Sequence, residues 1–264
     1  VNFRLGKNPP RRDARNLKLA KYTTKLPPIP PACDFISKIS DFPMYDNNTL
    51  GDCVAAAAGH MVGQWTTYAD KPFLPSDAQV VKFYEFSGYN PADPDSDQGW
   101  DLLSALKAWR TSGLAGHKIV AFVQLETGNL VELAQAISLF GNAYIGVALP
   151  DDVLPNDPSI NWTTIPWSWE PGMAQNPDNG HCVPVMAYTK GLTDLPFVSW
   201  AAKMYMGPHF YENISDEAFA VVTEDWIEAD GKSPSGFDIA QLLADLAVVT
   251  AAPASTPRAH YWGG

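Results

Sequence analysis

Along the chain, the spacing of apolar positions changes character near residue 141. Between residues 54 and 68 the larger side chains fall at Val54, Met61, Trp65 and Tyr68, with Ala58 between them. That spacing of three and four predicts a helix with one buried stripe. The stretches SDAQVVKFYEFSGY (76–89) and WDLLSALKAWRTSG (100–113) predict two more helices, the second closed by Gly113. NLVELAQAISLFG (129–141) predicts a fourth helix, and NAYIGVALP (142–150) the strand that follows it. Beyond that point, HCVPVMAYTK, PFVSWAAKMY and EAFAVVTEDW alternate, or carry β-branched and aromatic residues, and predict strands joined by long loops. A last helix is predicted over 237–251, ahead of a terminal tail. Residues 1–29 form a polar arm ending in the proline-rich KLPPIPPAC, which must be extended. The expected fold is therefore α+β, with a helical lobe over about 30–140 and a strand-rich lobe over about 141–228.

Composition narrows the partners. The 264 residues are 46% hydrophobic and 18% charged, enough apolar content for a folded core. A net charge of -11 argues against a nucleic-acid backbone or an anionic membrane surface as the main partner. No apolar run approaches the roughly 20 residues that cross a bilayer. The first residues, VNFRLGKNPPRRDARNLKLAKY, are basic and lack the apolar segment of a signal peptide. Cys33, Cys53 and Cys182 make an odd set without a CxxC pair, which fits a reducing compartment. The expectation is a cytoplasmic or particle-associated protein. The N-x-S/T triplets at Asn47, Asn161 and Asn213 are then chance matches.

Cys53 stands where a Gly-Asp turn becomes an alanine-rich helix. The unpaired N–H groups and dipole of a first helical turn favour a negative charge, which makes a nucleophile of a thiol. Inert burial is the commoner fate of a free cysteine, so a partner base must decide the matter. His60 shares the helix, but seven residues at 1.5 Å each set it about 10 Å along the axis, beyond bonding reach. His117 follows a helix end and His260 lies in the tail. His181 opens a strand after a long loop, where a base can be rigid and accessible. A zinc site of Cys53, His60, His181 and Cys182 is disfavoured, because adjacent strand residues point to opposite faces. No metal or other cofactor is expected. On the same alternation, Cys182 should point away from the cleft.

The order of these features resembles the papain-like cysteine peptidases over roughly residues 30–225. PPACDFISK is similar to the start of the family's mature domain, and NNTLGDCVAAAAGHM to its nucleophile loop and central helix. DQGWDLLSALKAWRTSGL resembles the glycine-containing wall that binds substrate backbone, and NGHCVPVMAY the strand that bears the base. VSWAAKMYMGPHFYENISDEAFAVV resembles the closing segment, where Ser199 and Trp200 match an Asn-Ser-Trp triplet. The resemblance implies a two-lobe fold with a cleft between the lobes. It implies catalytic roles for Cys53, His181 and Asn47, the last as a shorter amide at the oxyanion position. It also implies substrate contacts at Gln98, Gly99, Trp100 and Trp200. Val198 occupies the place of the asparagine that orients the histidine; Ser199 or a backbone carbonyl could substitute, and Val198→Asn should restore an acceptor. Leu50 replaces a disulfide cysteine, and the arm is shorter than the pro-segment of secreted relatives.

Two readings follow. In the first, the chain is a thiol hydrolase acting on a peptide or related amide bond. In the second, it is a papain-like scaffold serving as a structural, decoration or binding protein of a phage particle, with arms that clasp other subunits. The Trp-rich NWTTIPWSWEPG is read as core, or as a stacking surface if it borders the cleft.

Overall fold

A computed structural model describes residues 3–21, 26–154, 160–226 and 233. The helix expected over 237–251 and the tail with His260 lie outside the described residues. A two-residue strand β1 (Cys33–Asp34) leads to the central helix α1 (Cys53–Tyr68). Two further helices follow, α2 (Asp77–Tyr84) and α3 (Leu102–Thr111). Next come strand β2 (Ile119–Gln124), helix α4 (Leu130–Phe140) and strand β3 (Ala143–Ala148). The strand-rich part contains β4 (Gly180–Val185), β5 (Ala187–Tyr188), β6 (Leu195–Ser199) and β7 (Ala202–Met206). Helix α5 (Pro208–Ile214) and strand β8 (Ser215–Thr223) close it.

Local signals set the helix boundaries. Ser76 and Gln79 form a capping box at the start of α2, and Asp101 accepts from the Ser104 N–H at the start of α3. Asn129 caps α4, and Gly141 ends it with a positive φ of 86°. Helix α1 departs from the one-stripe expectation: every residue from Cys53 to Tyr68 except Thr67 is buried. It is the central helix of the fold, packed on β4 on one side and on α2 and α3 on others. The run of alanines lets neighbours approach it from all directions.

Six strands form one antiparallel sheet in the order β2-β8-β3-β4-β6-β7. Strand β2, which the sequence pattern did not single out, lies at its edge and draws part of the helix-rich half into the sheet. The stretch expected as a single strand over PFVSWAAKMY is instead a tight hairpin. Ser199 pairs with Ala202, and the two turn residues Trp200 and Ala201 both have positive φ, 46° and 60°. That is the left-handed twist a two-residue hairpin requires, at residues that adopt it only when held there.

Candidate active site

Strand β4, which carries His181, packs on α1. The sulfur of Cys53 is faced by two backbone N–H groups, from Cys182 and from Gly6. Cys53 and His181 are both fully buried. Nε2 of His181 lies 2.7 Å from Oγ of Ser199, and its Nδ1 has no hydrogen-bond partner. With Nε2–H donating to the hydroxyl, Nδ1 carries the lone pair. The imidazole stacks on Trp200 at 4.4 Å and 20°, and the edge of Trp167 closes a further side. The strained hairpin turn thus holds Trp200 flat against the ring.

Val198, at the expected asparagine position, is buried in a small apolar group with Ile36, Met186 and Ala187. The group that bonds the imidazole is the hydroxyl of Ser199, one position on. Cys182, expected to point away from the cleft, lines the same small cavity as Cys53, Asn47 and Trp200. Its thiol is raised well above its ordinary range by burial and by the neighbouring Cys53. All three cysteines are free. Among the described residues, no three His, Cys, Asp or Glu side chains form a metal-ligating group.

Asn47 is buried beside Cys53, and its amide donates to the Leu50 carbonyl (3.2 Å) and to Asp52 Oδ1 (3.1 Å). Asp52 precedes Cys53 at the helix start but does not cap it. Its burial raises its carboxyl well above the usual range. Asp97, which the sequence reading did not flag, ties the surroundings together. It accepts from the Gly51 N–H and the Tyr84 hydroxyl and pairs with Arg4 at 3.3 Å. Tyr84 in turn accepts from the Gly99 N–H. Gln98 is exposed and donates to the Asp95 carbonyl.

The N-terminal arm, expected to reach for other subunits, crosses this chain's own site. Phe3 packs between Trp162 and Trp200, at 5.3 and 5.0 Å. The Arg4 N–H donates to the Asn47 carbonyl, and Trp200 Nε1 donates to the Arg4 carbonyl. Gly6 and Lys7 donate to the Gly180 carbonyl. Trp100 brackets Lys7 in a parallel bridge, donating to the Gly6 carbonyl and accepting from the Asn8 N–H. Glycines make the approach possible. A Cβ on Gly6 would lie 1.9 Å from the Gly51 carbonyl oxygen, on Gly99 2.2 Å from that of Gly6, and on Gly180 2.0 Å from that of Lys7. Gly6 presents its N–H to the sulfur.

Under the arm, burial favours the neutral form of both Cys53 and His181. Burial, with a smaller contribution from Asp52, pushes the Cys53 thiol up to about 12. Burial, with a smaller contribution from Lys7, brings His181 down to about 3.

No protein-family model matches the sequence, and no curated protein matches it. Solved structures do match the fold. Xylellain, a cysteine protease from Xylella fastidiosa, superposes with a TM-score of 0.63 at 12% identity, over 83% of this chain and 96% of that one. Digestive procathepsin L 3 from the midgut of Tenebrio molitor larvae gives 0.53 at 15% identity, over 80% and 76%. A cysteine protease of Carica candamarcensis gives 0.51 at 13% identity, over 74% and 99%. The chain has the α+β fold of the papain-like cysteine proteases, in a divergent form.

Proposed function

We propose that the chain is a thiol hydrolase cleaving a peptide or related amide bond, with its own residues 3–8 seated in the cleft. The observation that carries the reading is Cys53 at a helix start beside the His181–Cys182 strand, with the imidazole held between Ser199 and Trp200. Once the arm leaves, the Cys53 proton passes to Nδ1 of His181 and the sulfur attacks the carbonyl carbon. The Cys53 N–H and the Asn47 amide, turned from Leu50 and Asp52, bind the oxyanion. His181 returns the proton to the departing amine, and water then cleaves the thioester. Gly99, Trp100 and Trp200 hold the substrate, with Gln98 at the outer rim. Peptides are the expected substrate class, as the names of the structural neighbours suggest.

A second reading keeps the fold as a silent scaffold, serving as a structural, decoration or binding protein in the phage-particle setting that the sequence resemblance suggested. The occupied cleft and the neutral Cys53–His181 pair favour it. One experiment separates the two: hydrolysis of a mixed fluorogenic peptide pool by wild type, by Gly6→Val, whose added side chain cannot fit against Gly51, and by Gly6→Val with Cys53→Ala. The hydrolase reading expects turnover in Gly6→Val and none once Cys53 is removed. Background rates in all three, with melting intact, would leave the scaffold.

A further inference from the structure

Beside the sulfur, the cleft contains a second built site whose occupant is visible. Lys7 is 5% exposed, and its ammonium lies 2.8 Å from Asp216 Oδ2, 3.2 Å from the Asn8 carbonyl and 3.7 Å from Glu217 Oε1. Glu217 is 2% exposed, and neither of its carboxylate oxygens has a hydrogen-bond partner. A buried carboxyl without a hydrogen bond, next to a half-buried one on the same strand, is costly to keep in a core without a cation. The stem of the lysine is fitted as closely as its head. A Cβ on Gly146 would lie 2.3 Å from Lys7 Cε and 2.7 Å from Glu217 Cγ. The backbone that delivers the lysine is gripped on both sides, by Gly180 and by Trp100. An unattached amine would have no use for that grip.

We infer that the pocket formed by Gly146, Asp216 and Glu217 is a side-chain subsite selecting lysine in an extended peptide, and that Lys7 is its built-in occupant. The inference rests on the hydrolase reading for calling the bound peptide a substrate, although recognition itself does not need turnover. The length of the channel and the carboxyl pair at its end fit a compact ammonium. The Gly146 contact leaves no width for a branched or aromatic stem.

The test uses the full chain carrying Lys7→Ala, which empties the pocket, and Cys53→Ala, which prevents turnover. Binding of acetyl-Leu-Gly-Lys-Asn-amide is compared by calorimetry with the same peptide bearing norleucine for lysine. The lysine peptide is expected to bind at least tenfold more tightly. That preference should vanish when Glu217→Gln and Asp216→Asn are added, and Gly146→Ala should abolish binding of both peptides. If Lys7→Ala does not fold, Lys7→Gln keeps the stem and serves instead. Equal affinity for the two peptides, or no binding of either by a folded variant, overturns the subsite. Lysine-selective binding, with background rates for the mixed peptide pool in the Gly6→Val chain, would sink the hydrolase reading and leave the subsite standing. Hydrolysis without lysine preference would do the reverse.

Discussion

Ser199 does for His181 what an asparagine was expected to do from position 198. A neutral hydrogen bond of this kind is worth about 1 kcal/mol. On the hydrolase reading, Ser199→Ala should therefore lower the kcat of the arm-released chain about fivefold with little change in KM, since the ring loses its restraint and the substrate loses no contact. Val198→Asn, attractive from the sequence, should not help. It would bury an amide among Ile36, Met186 and Ala187, at a cost of about 1–3 kcal/mol. Lower melting with no gain in rate is the expected result, and a rate increase would show that Ser199 is not the orienting group. The placement of Cys53 at a helix start and of His181 near a strand start was legible in the sequence, because both are local signals. The sequence left open whether Ser199 or a backbone carbonyl takes the place of the missing asparagine. Which of two adjacent strand residues faces the imidazole depends on pairing register, and register is a tertiary property.

Among elements, the helices were read well and the hairpin poorly. Caps at Ser76, Asp101 and Asn129 and the glycine at 141 announce helix ends in the sequence itself. The β6–β7 turn has no such marker, because Trp200 and Ala201 stand where Asn-Gly would be usual. Trp200 gives up that preference to cover His181. Ala201 has no comparable contact with the site, so Ala201→Gly should stabilise the protein by about 1 kcal/mol in denaturant titration, by relieving its left-handed conformation. A destabilised Ala201→Gly would mean that the turn is not held in this geometry. The arm was equally hidden. Its seat depends on glycines in four separate segments, at 6, 51, 99 and 180, and a missing side chain leaves no periodicity to read.

For the molecule as a whole, two titrations report different things. Glu217 is raised to about 8 by burial, and Lys7 lowers it only in part. A carboxyl raised on folding makes a contribution that is full below its unfolded value, near 4.5, and is lost as pH rises through the folded one. Relative to wild type, Glu217→Gln should thus be nearly neutral at the acid end and become progressively more stabilising as pH rises to 8. Denaturation midpoints of the two proteins across that range give the check, and a constant difference would count against the buried carboxyl. Cys53 reports on the arm. With the thiol raised to about 12, alkylation of wild type by iodoacetamide should stay slow from pH 5 to 10. In Lys7→Ala the rate should climb at far lower pH, as solvent and His181 return to the sulfur. Identical profiles would show that the arm does not control the thiol.

Because Lys7 belongs to the same chain as the pocket that holds it, its competition with any incoming peptide is intramolecular. A tethered occupant acts at an effective concentration on the order of millimolar for short flexible links. Dilution leaves that concentration unchanged, so the cleft stays filled at any protein concentration. Free peptides must outcompete it on affinity or abundance, and the apparent KM of wild type should exceed that of Lys7→Ala by the ratio of seated to released arm. A proteolytic cut between the arm and β1 would remove the tether. The short segment left in the cleft could then dissociate, and the protein would pass in one step from internal to ordinary competition.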